Sequence, residues 1–133
     1  MIVPEAGNDK RIGGDDNAPV AMLLCADLMF AVQLQSIARA TGFRPETLRP
    51  SASVPQEAAV LVVNLADRSG PRRWESAVRE AASLGIPVIA FGPHMDTDAR
   101  RAAKEAGASR VLANSNLARD LPTILRALRQ DHT

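Results

Sequence analysis

The stretch AAVLVVNL at residues 58–65 holds no charged residue, and its Val and Leu side chains occupy both alternating faces. A strand wetted on one side alternates apolar with polar residues, whereas a β-branched run without that alternation is covered on both sides. Strands of that kind belong to parallel sheets with a helix layer on each face. Three other stretches repeat the pattern: VAMLLCA (20–26), IPVIAF (86–91) and the shorter SRVLA (109–113). FRPETLR (43–49) is more weakly strand-like. Its Pro45 has no N–H to give a neighbour, which assigns it to the edge of the sheet.

The segments between these runs read as helices. Asp27 stands at an N-cap position before LMFAVQLQSIARAT, where Phe30, Leu34, Ile37 and Thr41 recur at helical spacing and Gly42 ends the run. After the loop ADRSGP (66–71) a helix opens near Arg72, with Trp74, Val78, Ala81 and Ala82 on one face and a favourable Glu75–Arg79 pair. Gly85 closes it. A turn at Gly92-Pro93-His94-Met95 leads to a helix capped by Asp96 or Thr97, with a stripe of Ala99, Ala102, Ala103 and Ala106 ending at Gly107. The last helix carries Leu117, Leu121, Ile124, Leu125 and Leu128, with Asn116 as a first candidate cap. A start near Asp120 would instead place Pro122 in the first turn, where a missing N–H costs little. The connection PSASVPQE (50–57) is too short for a full helix, so the second helix of the series is expected to be shortened or missing. The result is one α/β domain at residues 19–133 behind an aperiodic, flexible tail at 1–18.

A chain of 133 residues suffices for one domain with a continuous core. With 46% hydrophobic but only 3% aromatic residues, that core is aliphatic. Sixteen basic residues, mostly Arg, against fifteen acidic ones leave a net charge of +1, too weak a field to hold nucleic acid or an anionic membrane. No apolar run approaches the roughly 18–20 residues of a membrane span, and the N-terminus lacks the order of a signal peptide. Cys25, the single cysteine, reads as a buried free thiol of a reducing compartment. A cytoplasmic location is expected.

In an open parallel sheet, ligands bind beyond the carboxyl ends of the strands. The residues there are Ala26 and Asp27, Asn64 to Asp67, Gly92 to His94, and Asn114 with Ser115. After the first strand CADLMF contains no glycine, and Gly13-Gly14 precedes every strand, so a glycine-rich phosphate cradle is excluded. A helix cap accounts for Asp27, and Asp67 lies in a Gly-containing loop where Asp is common, so no metal is expected. Asn64 and Asn114, amides at two strand ends, are expected to hydrogen-bond across the crevice. His94 beside Asp96 suggests a dyad, yet no nucleophile is fixed next to it, and local bonding that shapes the loop is the favoured account.

The βα order, the block IPVIAFGPHMD (86–96) and the run AAKEAGASRVLANSNLARDL (102–121) resemble a response-regulator receiver domain. The resemblance covers about Val20 to Arg129 and implies a flavodoxin-like, doubly wound five-stranded parallel sheet. It also implies a phosphorylation pocket whose positions can be carried over singly. The acidic pair that holds Mg²⁺ after the first strand falls on Ala26 and Asp27. The phosphoacceptor Asp falls on Asn64, the switch Ser or Thr on Gly92, the phosphate-contacting Lys on Asn114 and the cis-Pro after it on Ser115. Of the first five positions only Asp27 keeps the expected chemistry. An amide is no nucleophile for an acyl phosphate, one carboxylate makes a poor Mg²⁺ site, and no ammonium remains as counter-charge. The resemblance therefore implies a stand-alone pseudo-receiver that needs no cofactor, is not an enzyme and signals through protein partners.

Receivers commonly signal through the face formed by their last two helices and last strand, which by resemblance makes Arg100, Arg101, Lys104, Arg110 and Arg119 candidate contacts. The first helix adds another candidate. MFAVQLQSIA (29–38) has no charged residue, and Met29, Gln33 and Ser36, with Val32 nearby, should form its outer face, suited to a partner or to a second copy in a homodimer. Two other readings remain: a small-ligand binder using the crevice of Asp27, Asn64, His94 and Asn114, and an enzyme using Asp27, Asp67 and His94.

Overall fold

The computed structural model describes residues 17–49, 52–66 and 74–132. The elements run β1 (Val20–Leu24), α1 (Leu28–Ala40), β2 (Arg44–Thr47), β3 (Ala58–Asn64), α2 (Trp74–Ser83), β4 (Val88–Gly92), α3 (Thr97–Ala106), β5 (Arg110–Ala113), a short 3-10 turn (Asn114–Asn116) and α4 (Leu117–His132). The five strands form one sheet in the order β2-β1-β3-β4-β5, and every neighbouring pair is parallel. Pro45 sits in β2 at the edge, as its missing N–H requires.

The sheet divides the core in two. On one face α1 and α4 cover Ala21, Leu23, Val60, Val62, Ile89 and Phe91; on the other α2 and α3 cover Met22, Leu24, Leu61, Val63, Val88 and Ala90. The unbroken apolar runs of β1, β3 and β4 are thus explained by burial from both sides. The four alanines of α3 are all buried, and their small size lets that helix lie close to its neighbours.

Several boundaries differ from expectation. β1 ends at Leu24, so Cys25 lies just past the ladder and is half-buried instead of buried, and Ala26 is exposed. Gly92 closes β4, paired with Ala113, and is not part of the turn. α4 starts at Leu117 directly after the 3-10 turn, which puts Pro122 in its second turn. The ring removes one N–H from the helix ladder, but the carbonyl four residues earlier belongs to Ala118, an exposed residue whose oxygen water can reach.

No helix forms in the described part of the β2–β3 connection. Leu48 and Val54 are buried there in its place. The Leu48 N–H donates to the Leu23 carbonyl at 2.9 Å, and the Val54 N–H donates to Glu80 Oε1 of α2 at 2.8 Å. The expected tail overlaps residues 1–16, which lie outside the described residues, as does the start of the loop helix near Arg72. Among the described residues no helix is long and apolar enough to cross a membrane.

Candidate functional site

The strand order reverses between β1 and β3, which places the crevice of a doubly wound sheet at their carboxyl ends. Asn64 ends β3 and is only 3% exposed. Its Oδ1 accepts from the Ala66 N–H at 2.9 Å, and its Nδ2 donates to Cys25 Sγ at 3.5 Å. The Cys25 thiol lies 3.5 Å from the Asp27 carbonyl, to which it donates. An amide and a thiol therefore bridge the switch point, and both ends of the Asn64 amide are engaged locally.

Asp27 is exposed and spends its carboxylate on the helix: Oδ1 accepts from the Phe30 N–H at 3.1 Å. This cap starts α1 in the register that brings the Phe30 ring to 5.2 Å from that of Phe91 on β4. Asp67 lies outside the described residues. Among the described residues no three His, Cys, Asp or Glu side chains converge to hold a metal ion.

Gly92 is buried, and its space is taken. A Cβ added there would stand 3.1 Å from the Leu65 Cβ, and Leu65 is held by its N–H donating to the Phe91 carbonyl at 2.8 Å. A hydroxyl-bearing side chain would need Leu65 to retreat. The position is tight, and Leu65 would have to give by a few tenths of an ångström.

The expected Asn64–Asn114 hydrogen bond does not form. β4 separates β3 from β5, so the two strand ends start about two strand spacings, roughly 9.6 Å, apart. Asn64 bonds to Cys25 and Ala66 instead, and the buried Asn114 Oδ1 has no partner among the described residues. The same separation lies between the ends of β1 and β4, which carry Asp27 and His94. His94 is exposed, and its carbonyl accepts from Arg100 Nη1 at 3.4 Å. Asp96 caps α3 by accepting from the Ala99 N–H at 3.1 Å, so its carboxylate serves the backbone. Two surface cavities of about 350 and 360 Å³ lie elsewhere, at the amino end of the sheet beside Leu84 and Leu128 and along α3.

The surface candidates divide. At the start of α1, Met29 and Val32 are exposed as expected, joined by Leu28, while Gln33 is half-buried. The buried Leu34 and Ala38 turn Val32 and Ser36 outward and swing Gln33 to the flank. Among the basic residues, Arg119 pairs with Asp120 at 2.8 Å. That hydrogen bond, with the charges of Arg119 and Arg110 behind it, holds the Asp120 carboxyl below its usual range. Arg100, Arg101 and Lys104 form no ion pair among the described residues.

Sequence reasoning places Leu65 at this end of the sheet but passes over Cys25, which reads as core because it continues an apolar run. The usable signal is position: Cys25 follows the last residue of β1, where side chains face the crevice.

No family model and no curated protein sequence matches the chain. Solved structures do. A response regulator receiver protein from Pseudoalteromonas atlantica superposes with a TM-score of 0.73 at 10% identity, covering 86% of this chain and 100% of that one. A CheY-like protein, TadZ, from Pseudomonas aeruginosa PAO1 gives 0.67 at 20% identity over 83% and 98% of the two chains. A protein from Burkholderia pseudomallei K96243 described as pilus assembly-related gives 0.63 at 14% identity over 85% and 90%. At such identities the likeness speaks to architecture, and the five-stranded parallel sheet with its order β2-β1-β3-β4-β5 agrees with it. The chain has the flavodoxin-like fold of response-regulator receiver domains.

Proposed function

We propose that the chain is a receiver-like signalling domain that does not run an aspartyl-phosphate cycle and acts by binding protein partners in the cytoplasm. One observation carries the reading: Asn64, in the phosphoacceptor place, is buried with its amide divided between the Ala66 N–H and Cys25 Sγ. The surroundings support it. Asp27 spends its carboxylate on capping a helix, Gly92 is packed under Leu65, and Asn114 supplies no positive charge. Among the described residues the side chains at the strand ends are spent on backbone and core contacts, and we read the domain as a binding module and not as an enzyme.

The test is phosphoryl transfer from acetyl phosphate with Mg²⁺, followed by intact-mass measurement. The wild-type chain and Asn64→Asp are both expected to show no phosphoryl adduct. An acid-labile adduct on the wild type overturns the reading. An adduct gained by Asn64→Asp would mean that a working site has been switched off at a single position.

The exposed apolar start of α1 is the first partner surface in this reading. Leu28, Met29 and Val32 are 79%, 83% and 63% exposed. Three side chains fall short of the 20–30 residues a side of a typical stable interface, so they would be part of a larger contact. Met29→Glu with Val32→Glu is expected to alter unfolding free energy by no more than about 0.5 kcal/mol while weakening association. Sedimentation gives the readout for self-association: an unchanged mass in a dimeric parent sinks a role for this face in the dimer.

A further inference from the structure

We infer that the groove at the amino end of the sheet is the docking site of a segment of this same chain, Lys10-Arg11-Ile12, with Ile12 seated on its apolar wall and the two cations on Asp131. The inference goes beyond the signalling reading and does not depend on it. The groove, about 350 Å³ in volume, is walled by Ala59, Leu84, Pro87 and Leu128, with the exposed Asp131 beside them. That is the lower end of the range of ligand pockets, roughly 300–1,000 Å³, and suits a side chain or two. Among the described residues Leu84 is the large apolar side chain left exposed at this end, at 39%, whereas Leu28, Met29, Val32 and Met95 stand toward the other.

Reach, charge and size together choose the occupant. The chain enters β1 at this same end: the Arg44 N–H donates to the Pro19 carbonyl at 2.8 Å, and Val20 lies in register with Ala58, beside the groove wall. β1 is one strand from β3 and two from β4, so the groove stands roughly 5–10 Å from the point of entry. Ile12 precedes Val20 by eight residues, which span up to about 26 Å when extended. The Gly13-Gly14 pair between them lets the chain turn without steric cost. The wall is also open where the segment would arrive. Val20 opposes Ala58 and Ala21 opposes Val60, so the β1 register skips Ala59, and pairing with β4 begins only at Leu61. An extra residue of this kind interrupts the ladder locally. As to charge, Asp131 lies in the last turn of α4, whose carbonyl end adds a partial negative charge. Lys10 and Arg11 are the only basic side chains before β1, and they directly precede Ile12. Asp9, Asp15 and Asp16 lie outside the triplet, the last two beyond the glycines. Size excludes a separate partner. Four apolar side chains and a carboxylate fall well short of the about 20–30 residues a side of a stable interface, whereas a tethered segment is held at an effective concentration on the order of millimolar.

The test compares amide spectra and ¹⁵N relaxation of the full chain with those of Ile12→Asp and of Lys10→Glu/Arg11→Glu. These substitutions lie before β1 and leave the core intact, which the rest of each spectrum checks. In the wild type, residues 10–12 are expected to show order parameters above about 0.6, the level below which a backbone counts as flexible. In each variant they should drop below that level, and the amides of Leu84, Gly85, Leu128 and Asp131 should shift while those of Asn64 and Gly92 stay in place. Adding Asp131→Lys to Lys10→Glu/Arg11→Glu should restore part of both signals, which a merely local change at residues 10–12 would not do. Wild-type spectra should hold through about tenfold dilution, because a tethered contact is unimolecular. Order parameters below about 0.6 in the wild type overturn the inference. So does either variant that leaves the groove amides unmoved, or a shift that follows protein concentration, which would seat a second copy in the groove. A phosphoryl adduct on the wild type removes the signalling reading and leaves this one standing.

Discussion

Asn64→Asp is expected to leave the fold near wild-type stability at pH 4 and to cost between about 2 and 4 kcal/mol at pH 7. The substitution is nearly isosteric, and the protonated carboxyl can replace both amide contacts, donating its O–H toward Cys25 Sγ and accepting from the Ala66 N–H. Ionised, it keeps only the second. The site is 3% exposed, and Asn114 stands where a receiver would bring an ammonium, so burial pushes the new carboxyl above its unfolded value of about 3.9. With a raised native pKa the unfolded chain releases its proton first, so stability is intact below the unfolded pKa and falls as pH rises through the native one. The loss has a ceiling. The native state can always hold the proton at about 1.4 kcal/mol per pH unit, which over the three units to pH 7 limits it to about 4 kcal/mol. Urea unfolding of both chains from pH 4 to pH 8 measures the difference. A difference that stays flat across that range would mean the carboxylate finds a cation or water in the crevice, and the pocket would not be the closed one described here.

On the reading proposed above, the result bears on how a phosphorylation pocket is lost. A carboxylate at residue 64 is expected to yield an unstable protein and not a phosphorylated one. The surroundings of Asn64 suit an amide: a thiol beside it, Leu65 over Gly92, and a second amide, Asn114, beyond β4. Each of these features is tolerable only in company with the others. That is the expected behaviour of residues sharing contacts, whose effects do not add.

Much of this is legible in the sequence. AAVLVVNL required a doubly covered strand because its apolar side chains do not alternate, and the parallel sheet followed from that together with the intervening helices. Asp27, Asp96 and the alanine stripe of α3 were readable because capping and helical spacing are local rules acting within a few residues. The crevice was less legible, because its contacts cross the chain. Asn64 meets Cys25, 39 residues away, and Gly92 meets Leu65, 27 positions earlier. A list of strand-end residues names most participants but not the pairs, so it pairs Asn64 with Asn114 although β4 lies between their strands. Gln33 illustrates the same limit on a smaller scale: spacing alone put it outward, and the tilt set by Leu34 and Ala38 turned it to the flank.

The largest single effect is expected at Gly107, where Ala should cost about 4 kcal/mol. Two causes combine there. Its φ of +119° is a conformation that a side chain occupies only at a cost of about 1–3 kcal/mol. A Cβ would also stand 2.6 Å from the Cβ of Ala82, closer than two carbons approach, so α2 and α3 would have to separate at about 1–3 kcal/mol more. Gly85 supplies the control. It too has positive φ, at 76°, yet nothing lies within 4 Å of its added Cβ, so Gly85→Ala should show the backbone strain alone, about 1–2 kcal/mol. The steric share can then be recovered by its own remedy. Ala82→Gly alone removes a helix-favouring methyl and should cost about 1 kcal/mol, but combined with Gly107→Ala it removes the clash and should restore part of the loss. Chemical denaturation of the three variants closes that cycle. If the double variant were only as stable as the sum of the singles, the contact between the helices would not be the cause, and the close seating of α3 against α2, on which the position of its cationic face depends, would need another explanation.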